Sequence, residues 1–347
     1  MSPGSLPVID LGLLSSPEGR ETLHQQVYDA LTGPGFLYLQ GVPAYDPDEL
    51  HECTQWFFKL PLEERMRISK KMFVPSSSYT YRGFFPVQLG KQSHKEGFEM
   101  GSFMEGPGSA PYEWAKFFFE DNQWPRDPPD SKPFASIFRE RMEKYYQVFT
   151  DAGMTLLQLV AGAWGAEKDT LTKLFGSTHL STFRLIRYPS RGSDLPECAL
   201  KDDIVLQCDE HQDSGFVTML ETFGYPGLQL QTAEGTWQDV EYRKGSLIVN
   251  IGLLLSKISG GLIKATHHRV VDCGAERFSV PFFLEPRFDA NVNVTLTPPA
   301  CLTKTKDTVV LLPSGKPLPY GSWLLKNLVG FIEYKSLEKY LKDAENV

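Results

Sequence analysis

From about residue 180 onward the chain breaks into short β-rich runs, and this rhythm restricts its fold more than any other feature. The runs are STFRLIRY, FVTMLET, LQLQT, WQDVE, SLIVNI, HHRVV and RFSVPFFLEP, separated by turn signals such as AEGT, RKGS and SGG. Many short strands at this spacing predict a β-sandwich or barrel. Upstream the pattern is helical. Residues 19 to 33 and 46 to 70 read as helices, with LPVIDL and FLYLQGV as strands around the first of them. Residues 133 to 165 form a strong amphipathic helix in which Phe138, Met142, Tyr145, Phe149, Met154, Leu157 and Val160 recur at helical spacing. Residues 76 to 135 are rich in Gly, Pro and aromatics and predict short strands and loops. The chain closes with YGSWLLKNLVGFIEYKSLEKYLKD, a helix with an apolar face. The expectation is a mainly β protein with flanking helices and no separating linker. It divides into a helix-rich part (1–180), a β core (181–290) and a C-terminal segment with a lid-like helix (291–347).

Composition narrows the partners. With 35 Lys and Arg against 43 Asp and Glu, the net charge of −8 argues against nucleic acid and against an anionic membrane surface. No run of about 18 apolar residues predicts a membrane span. The opening MSPGSLPVIDLGLL lacks a basic start and a long apolar core, so no secretory leader is expected. Cys53, Cys198, Cys208, Cys273 and Cys301 form no C-x-x-C pair. They read as scattered reduced thiols of a cytoplasmic protein. A monomer acting on a small molecule is the expectation.

The histidines carry the chemistry. His24 and His51 lie in polar helical stretches and read as ordinary surface residues. His211 differs, because Asp213 follows two positions on, and residues i and i+2 of an extended chain share a face. Asp209 shares that parity, whereas Glu210 points away, and Cys208, Glu210 and Gln212 read as bystanders. A third ligand is available in IKATHHRVV, which offers His267 and His268. Two histidines and a carboxylate on a β scaffold leave coordination positions open, which suits Fe(II) and oxygen activation; zinc is the chemical competitor. Further on, Arg277 and Ser279 share a strand face and make a receptor for a carboxylate.

HQD, then HRVV with its histidine 57 residues after His211 (268 − 211), then RFSVPFF, resembles the Fe(II)- and 2-oxoglutarate-dependent oxygenase superfamily, and within it the isopenicillin-N-synthase-like branch. LPVIDL, GPGFLYLQGVP, FFKLPLEERM, KEGFEMG, FRLIRYP, GLQLQTAEGTWQDV, SLIVNIG and YGSWLLKNL follow in the family's order, so the similarity covers nearly the whole chain. It implies a distorted double-stranded β-helix, or jelly roll. His211, Asp213 and His268 would be the iron ligands and catalytic centre. Arg277, Ser279 and Tyr188 would hold the distal carboxylate of 2-oxoglutarate, the co-substrate, with O2 as oxidant. Ile186 and Leu253 stand where many plant relatives carry Asn and Asp. The resemblance implies hydroxylation, desaturation or cyclisation of a small carboxylate- or amino-acid-like molecule. Arg82, Phe84, Phe98, Leu253 and Phe283 would border it, with Phe85 and Met100 as further candidate walls. The alternative is an oxidase of the isopenicillin N synthase kind, which needs iron and O2 but no 2-oxoglutarate, the R-x-S pair then binding the substrate's own carboxylate.

Overall fold

A computed structural model describes residues 5–102, 106–192, 195–296 and 311–347; Cys301 lies outside them. Fifteen strands are defined among the described residues: β1 Val8–Asp10, β2 Phe36–Gln40, β3 Gly83–Phe85, β4 Glu96–Gly101, β5 Thr182–Tyr188, β6 Leu200–Lys201, β7 Ile204–His211, β8 Val217–Glu221, β9 Leu228–Gln231, β10 Trp237–Asp239, β11 Ser246–Ile251, β12 His268–Val271, β13 Arg277–Leu284, β14 Val294–Leu296 and β15 Leu311–Pro313. Eight of them form the major sheet in the order β1-β2-β11-β8-β13-β5-β4-β3, and five form the minor sheet in the order β10-β9-β12-β7-β6. Except for the parallel β1–β2 pair, neighbouring strands run antiparallel. The strand-rich expectation therefore resolves into two facing sheets of a jelly roll.

Alternation along each strand sorts its side chains between two surroundings. On β13, Phe278, Val280, Phe282 and Leu284 join the main hydrophobic core, whereas Arg277, Ser279, Pro281 and Phe283 line the space between the sheets. On β5, Phe183 and Leu185 enter the core, and Arg184, Ile186 and Tyr188 face the space. The outer face of the major sheet is covered by the helix Ala135–Ala163, which buries Phe138, Met142, Phe149, Leu156, Leu157 and Val160. Gly153 allows the close approach: a Cβ there would lie 2.7 Å from Leu284 Cδ2 and 3.0 Å from Met219 Cε. Covering one face fully leaves the other free to enclose a cavity.

Two sequence-based helices are shorter than expected. The stretch 46–70 is interrupted at Leu60 and Pro61, which separate helices Pro47–Lys59 and Leu62–Arg67, as proline requires. The C-terminal stretch divides into helix Tyr320–Leu328, a 3-10 segment Ile332–Tyr340 and a short helix Leu341–Glu345. Among the described residues no helix is long and apolar enough to cross a membrane.

Candidate active site

His211 closes β7 and His268 opens β12, and the two stand directly opposite each other in the antiparallel register. Their rings lie side by side, with centroids 4.2 Å apart. Asp213 completes the group: its Oδ1 is 3.8 Å from His211 Nε2 and 3.9 Å from His268 Nε2. Among the described residues this is the cluster of His, Cys, Asp and Glu whose donor atoms could hold a metal ion, all within 4.8 Å of one another. Donors that each sit about 2 Å from a common ion have separations of this order.

Each donor is aimed by its other atoms. His211 Nδ1–H donates to the Asp209 carbonyl (2.7 Å) and His268 Nδ1–H to the Thr266 carbonyl (3.1 Å), an assignment that leaves both Nε2 lone pairs toward the cluster. Asp213 Oδ2 accepts from the Thr218 hydroxyl (2.6 Å) and the Asn250 amide (2.8 Å), which frees Oδ1. Burial opposes the Asp213 charge, but His268, His211 and these hydrogen bonds outweigh it and hold the carboxyl below its usual range. At His268 burial prevails over the pull of Asp213 and lowers the pKa. At His211 burial also works against charge, yet Cys208 and Asp213 prevail and push it up to about 9. The cluster thus favours positive charge, and a divalent cation satisfies that demand while displacing the proton.

A β-bulge explains the surroundings of His211. The β7–β12 register shifts between the His268 and Val270 pairs, so that Val270 faces Cys208. The extra residue reverses the alternation in β7. Cys208, read from sequence as a bystander, therefore lines the cavity, with Sγ 3.9 Å from His211 Nδ1. Asp209 is half exposed, its Oδ1 accepts from the Glu210 N–H, and it borders the larger of the two cavities described below. The choice between adjacent histidines is equally physical: His267 is turned outward, 2.9 Å from the Glu210 carboxylate, while His268 is buried.

Facing the cluster, Arg277 is 1% exposed, and neither its Nε nor its Nη1 has a hydrogen-bond partner among the described residues. Its guanidinium lies over the Tyr188 ring, 4.7 Å from the centroid, and Ser279 is buried two residues along the same strand face. All three line a cavity of about 90 Å³ together with His211, Asp213 and His268. An unsatisfied buried guanidinium is costly, and a carboxylate entering the cavity relieves the cost. The donor set at one end and the unpaired guanidinium at the other fit Fe(II) and the two carboxylates of 2-oxoglutarate.

Beyond the cluster lies a second cavity of about 450 Å³, which shares Lys95, Arg184, Cys208, His211, Asp213 and Phe283 with the first. Leu253, Glu99 and Glu285 add to its walls, and Leu324, Leu328, Phe331 and Tyr334 of the C-terminal segment close one side. Burial pushes the Glu285 carboxyl up to about 8, against the opposing influence of Tyr320, Arg82 and Arg184.

The sequence-based walls divide accordingly. Leu253 and Phe283 line this cavity, whereas Arg82, Phe84 and Phe98 are not among its lining residues. Phe84 and Phe98 are fully buried in the core, where Phe98 packs on Phe57 and Phe138. Phe85 and Met100 are likewise buried away from both cavities. Arg82 is buried over Gly101, and its guanidinium is taken up by the Thr182 hydroxyl (3.0 Å) and the Tyr81 ring. Gly101 leaves room for that packing, and Gly97 for the Phe85 ring. Thr218, Asn250, Lys95 and Arg184 were missed from sequence. Thr218 and Asn250 are register partners on β8 and β11, and only that pairing, absent from sequence, reveals their common target.

Comparison with known proteins agrees with this geometry. Residues 181–286 match the model of the 2OG-Fe(II) oxygenase superfamily, and residues 6–127 match that of the non-haem dioxygenase in morphine synthesis N-terminal region. A 2-oxoglutarate-Fe(II) type oxidoreductase of Emericella nidulans is 29% identical over 290 residues, 82% of this chain and 80% of its own. A homoarginine-6-hydroxylase of Oryza sativa subsp. japonica is 30% identical over 305 residues, 83% of this chain and 88% of its own. In fold, the chain is similar to a full-length Neurospora crassa protein solved in complex with alpha-KG, with a TM-score of 0.73 and 20% identity, covering 95% of this chain and 98% of that one. The chain belongs to the 2-oxoglutarate- and Fe(II)-dependent oxygenase superfamily, with its double-stranded β-helix fold. It is a dioxygenase that uses Fe(II), 2-oxoglutarate and O2.

Proposed function

We propose that His211, Asp213 and His268 hold the Fe(II), that Arg277, Ser279 and Tyr188 bind the distal carboxylate of 2-oxoglutarate, and that the enzyme oxidises a small carboxylate- or amino-acid-like molecule in the larger cavity. The observation that carries this reading is the unpaired Arg277 guanidinium in the same cavity as the convergent His-Asp-His donors. Bound Fe(II) supplies the oxidising chemistry with O2, as 2-oxoglutarate is converted to succinate and CO2. The chain's own contribution is placement. His211 and His268 present neutral nitrogens, Asp213 presents one oxygen, and Thr218 and Asn250 keep its other oxygen occupied. His211 and His268 come from the minor sheet and Asp213 from the turn after β7, while Arg277, Ser279 and Tyr188 of the major sheet line the same cavity and face 2-oxoglutarate. Arg277 orients that molecule by a planar, charge-assisted grip that lysine cannot copy.

Leu253, Phe283, Leu324 and Leu328 supply apolar wall and limit water at the reacting centre. Residues 320–340 act as the lid, Trp323 Nε1 donating to the Ser214 carbonyl beside Asp213 (3.1 Å). The amino-acid-like substrate gains support from the homoarginine-6-hydroxylase among the relatives. The test is succinate release by the Fe(II)-loaded protein across a panel of amino acids and small acids, with and without 2-oxoglutarate. We expect turnover only with 2-oxoglutarate, one succinate per product. Product formed without 2-oxoglutarate or succinate contradicts the reading and supports the oxidase alternative.

A further inference from the structure

The larger cavity has chemically different ends. On one side stand two cations with unused hydrogen-bonding capacity. Lys95 precedes β4 and, one residue before the Glu96–Arg187 pair, comes alongside Tyr188. Its side chain lines both cavities, with Cys208 and Tyr188 as the neighbours that favour its charge. Arg184 uses Nη2 on the Glu99 carboxylate (2.5 Å) and leaves Nε buried without a partner. Glu99 does not neutralise both. It is already engaged by Lys70 and lies within reach of the Tyr334 hydroxyl, so a further anion between Lys95 and Arg184 finds donors to meet it. Positive charge beside the metal cluster favours an anionic group on the substrate.

The other end carries an acceptor. Glu285 continues the cavity face of β13 beyond Phe283, which pairs with Thr182. It is 6% exposed, and its Oε2 has no partner of hydrogen-bond geometry, although the Tyr320 hydroxyl stands nearby. A buried carboxyl oxygen without a well-formed hydrogen bond is rare in a folded protein, and here it looks into a space large enough for a ligand. By register, Glu285 stands four residues beyond the position opposite Arg184, about 13 Å along the strand. Allowing for side-chain reach, the gap suits a molecule the length of a basic amino acid.

We infer that the substrate is dipolar, with a carboxylate bound by Lys95 and the Arg184 Nε–H and an amine or guanidine N–H received by Glu285. The inference rests on the larger cavity being the substrate site of the proposed dioxygenase. It names Lys95 and Arg184 as the carboxylate receptor and adds a second requirement at the far end.

The test is anaerobic calorimetry on the protein loaded with Fe(II) and 2-oxoglutarate. The probes are L-arginine and L-lysine, their decarboxylated counterparts agmatine and cadaverine, and hexanoate, which lacks the nitrogen. We expect the two amino acids to bind at least tenfold more tightly than either amine or hexanoate. Lys95→Gln brings amino acid binding down to the level of the amines and lowers 2-oxoglutarate affinity by a smaller factor. Glu285→Leu weakens the amino acids at least tenfold and leaves hexanoate unaffected. Melting curves of the variants, with Arg184→Lys as the charge-conserving control, separate local from global effects. Equal binding of amines and amino acids overturns the inference, as does a protein that binds 2-oxoglutarate and none of the probes. A Lys95→Gln protein that loses 2-oxoglutarate instead of the probes overturns it too. Failure of the wild type to bind 2-oxoglutarate at all overturns the underlying reading, and the inference with it.

Discussion

Arg277 and Arg82 are both 1% exposed, yet their surroundings differ in kind. The Arg82 guanidinium is met by the Thr182 hydroxyl and the Tyr81 ring, and its backbone N–H donates to Glu120, which also accepts from Thr80 and Tyr81. The Arg277 Nε and Nη1 are met by no acceptor among the described residues. Burial alone therefore does not distinguish a structural arginine from a binding one. What distinguishes them is whether the protein itself completes the hydrogen bonds of the buried charge. A satisfied guanidinium holds the fold together, and an unsatisfied one holds a place for a ligand.

That comparison can be broken or sharpened on the packed side first. Phe98→Ala should cost about 3–5 kcal/mol of stability, as expected for a fully buried aromatic. Denaturant titration would measure the loss, and binding of 2-oxoglutarate by the folded fraction should be unchanged. Arg82→Gln should follow with about 2–3 kcal/mol, because it removes hydrogen bonding to a buried charge. A change in ligand affinity without a loss of stability in either variant would reverse the assignment of this region.

His179 offers a pH test of the same packed side. It is 4% exposed, stacks on Tyr146 and shares a 2.7 Å hydrogen bond with Ser181 Oγ. Burial lowers its pKa from 6.5 to about 4. Between those values the unfolded chain binds the proton and the folded chain does not, so this contribution is complete above pH 6.5 and is lost as pH falls toward 4. At pH 5 the loss is about 2 kcal/mol, and His179→Gln should flatten that part of the stability profile. The smallest expected effect lies at the metal cluster. Asn250→Ala leaves Asp213 Oδ2 with only Thr218, and should lower Fe(II) affinity about tenfold, the low end for outer partners of metal ligands.

The two arginines also mark what could be read from the sequence. His211, His268, Arg277 and Ser279 fall on short strands, with Asp213 two residues beyond the end of one; there alternation and resemblance act together, and the structure brings all five to one cavity. Alternation failed at Cys208, since a bulge in β7 adds a residue that spacing alone does not reveal. From residue 82 to 100 the candidate walls came from the resemblance, and aromatic density there resembles both a binding surface and a core. The glycines 97 and 101, whose missing Cβ atoms make room for Phe85 and Arg82, decide for the core. Lys95 and Arg184 escaped notice because each looks like a surface cation until the sheets face one another.

The most direct measurement is anaerobic calorimetry of 2-oxoglutarate binding to the Fe(II)-loaded wild type and Arg277→Gln proteins, with melting temperatures measured alongside. Losing a charge-assisted, two-point grip of about 2–3 kcal/mol corresponds to about 30–150-fold weaker binding. The account predicts that weakening in Arg277→Gln, with a melting temperature equal to or above that of the wild type. Wild-type affinity for 2-oxoglutarate in Arg277→Gln, or a variant that loses stability while keeping the ligand, would contradict it.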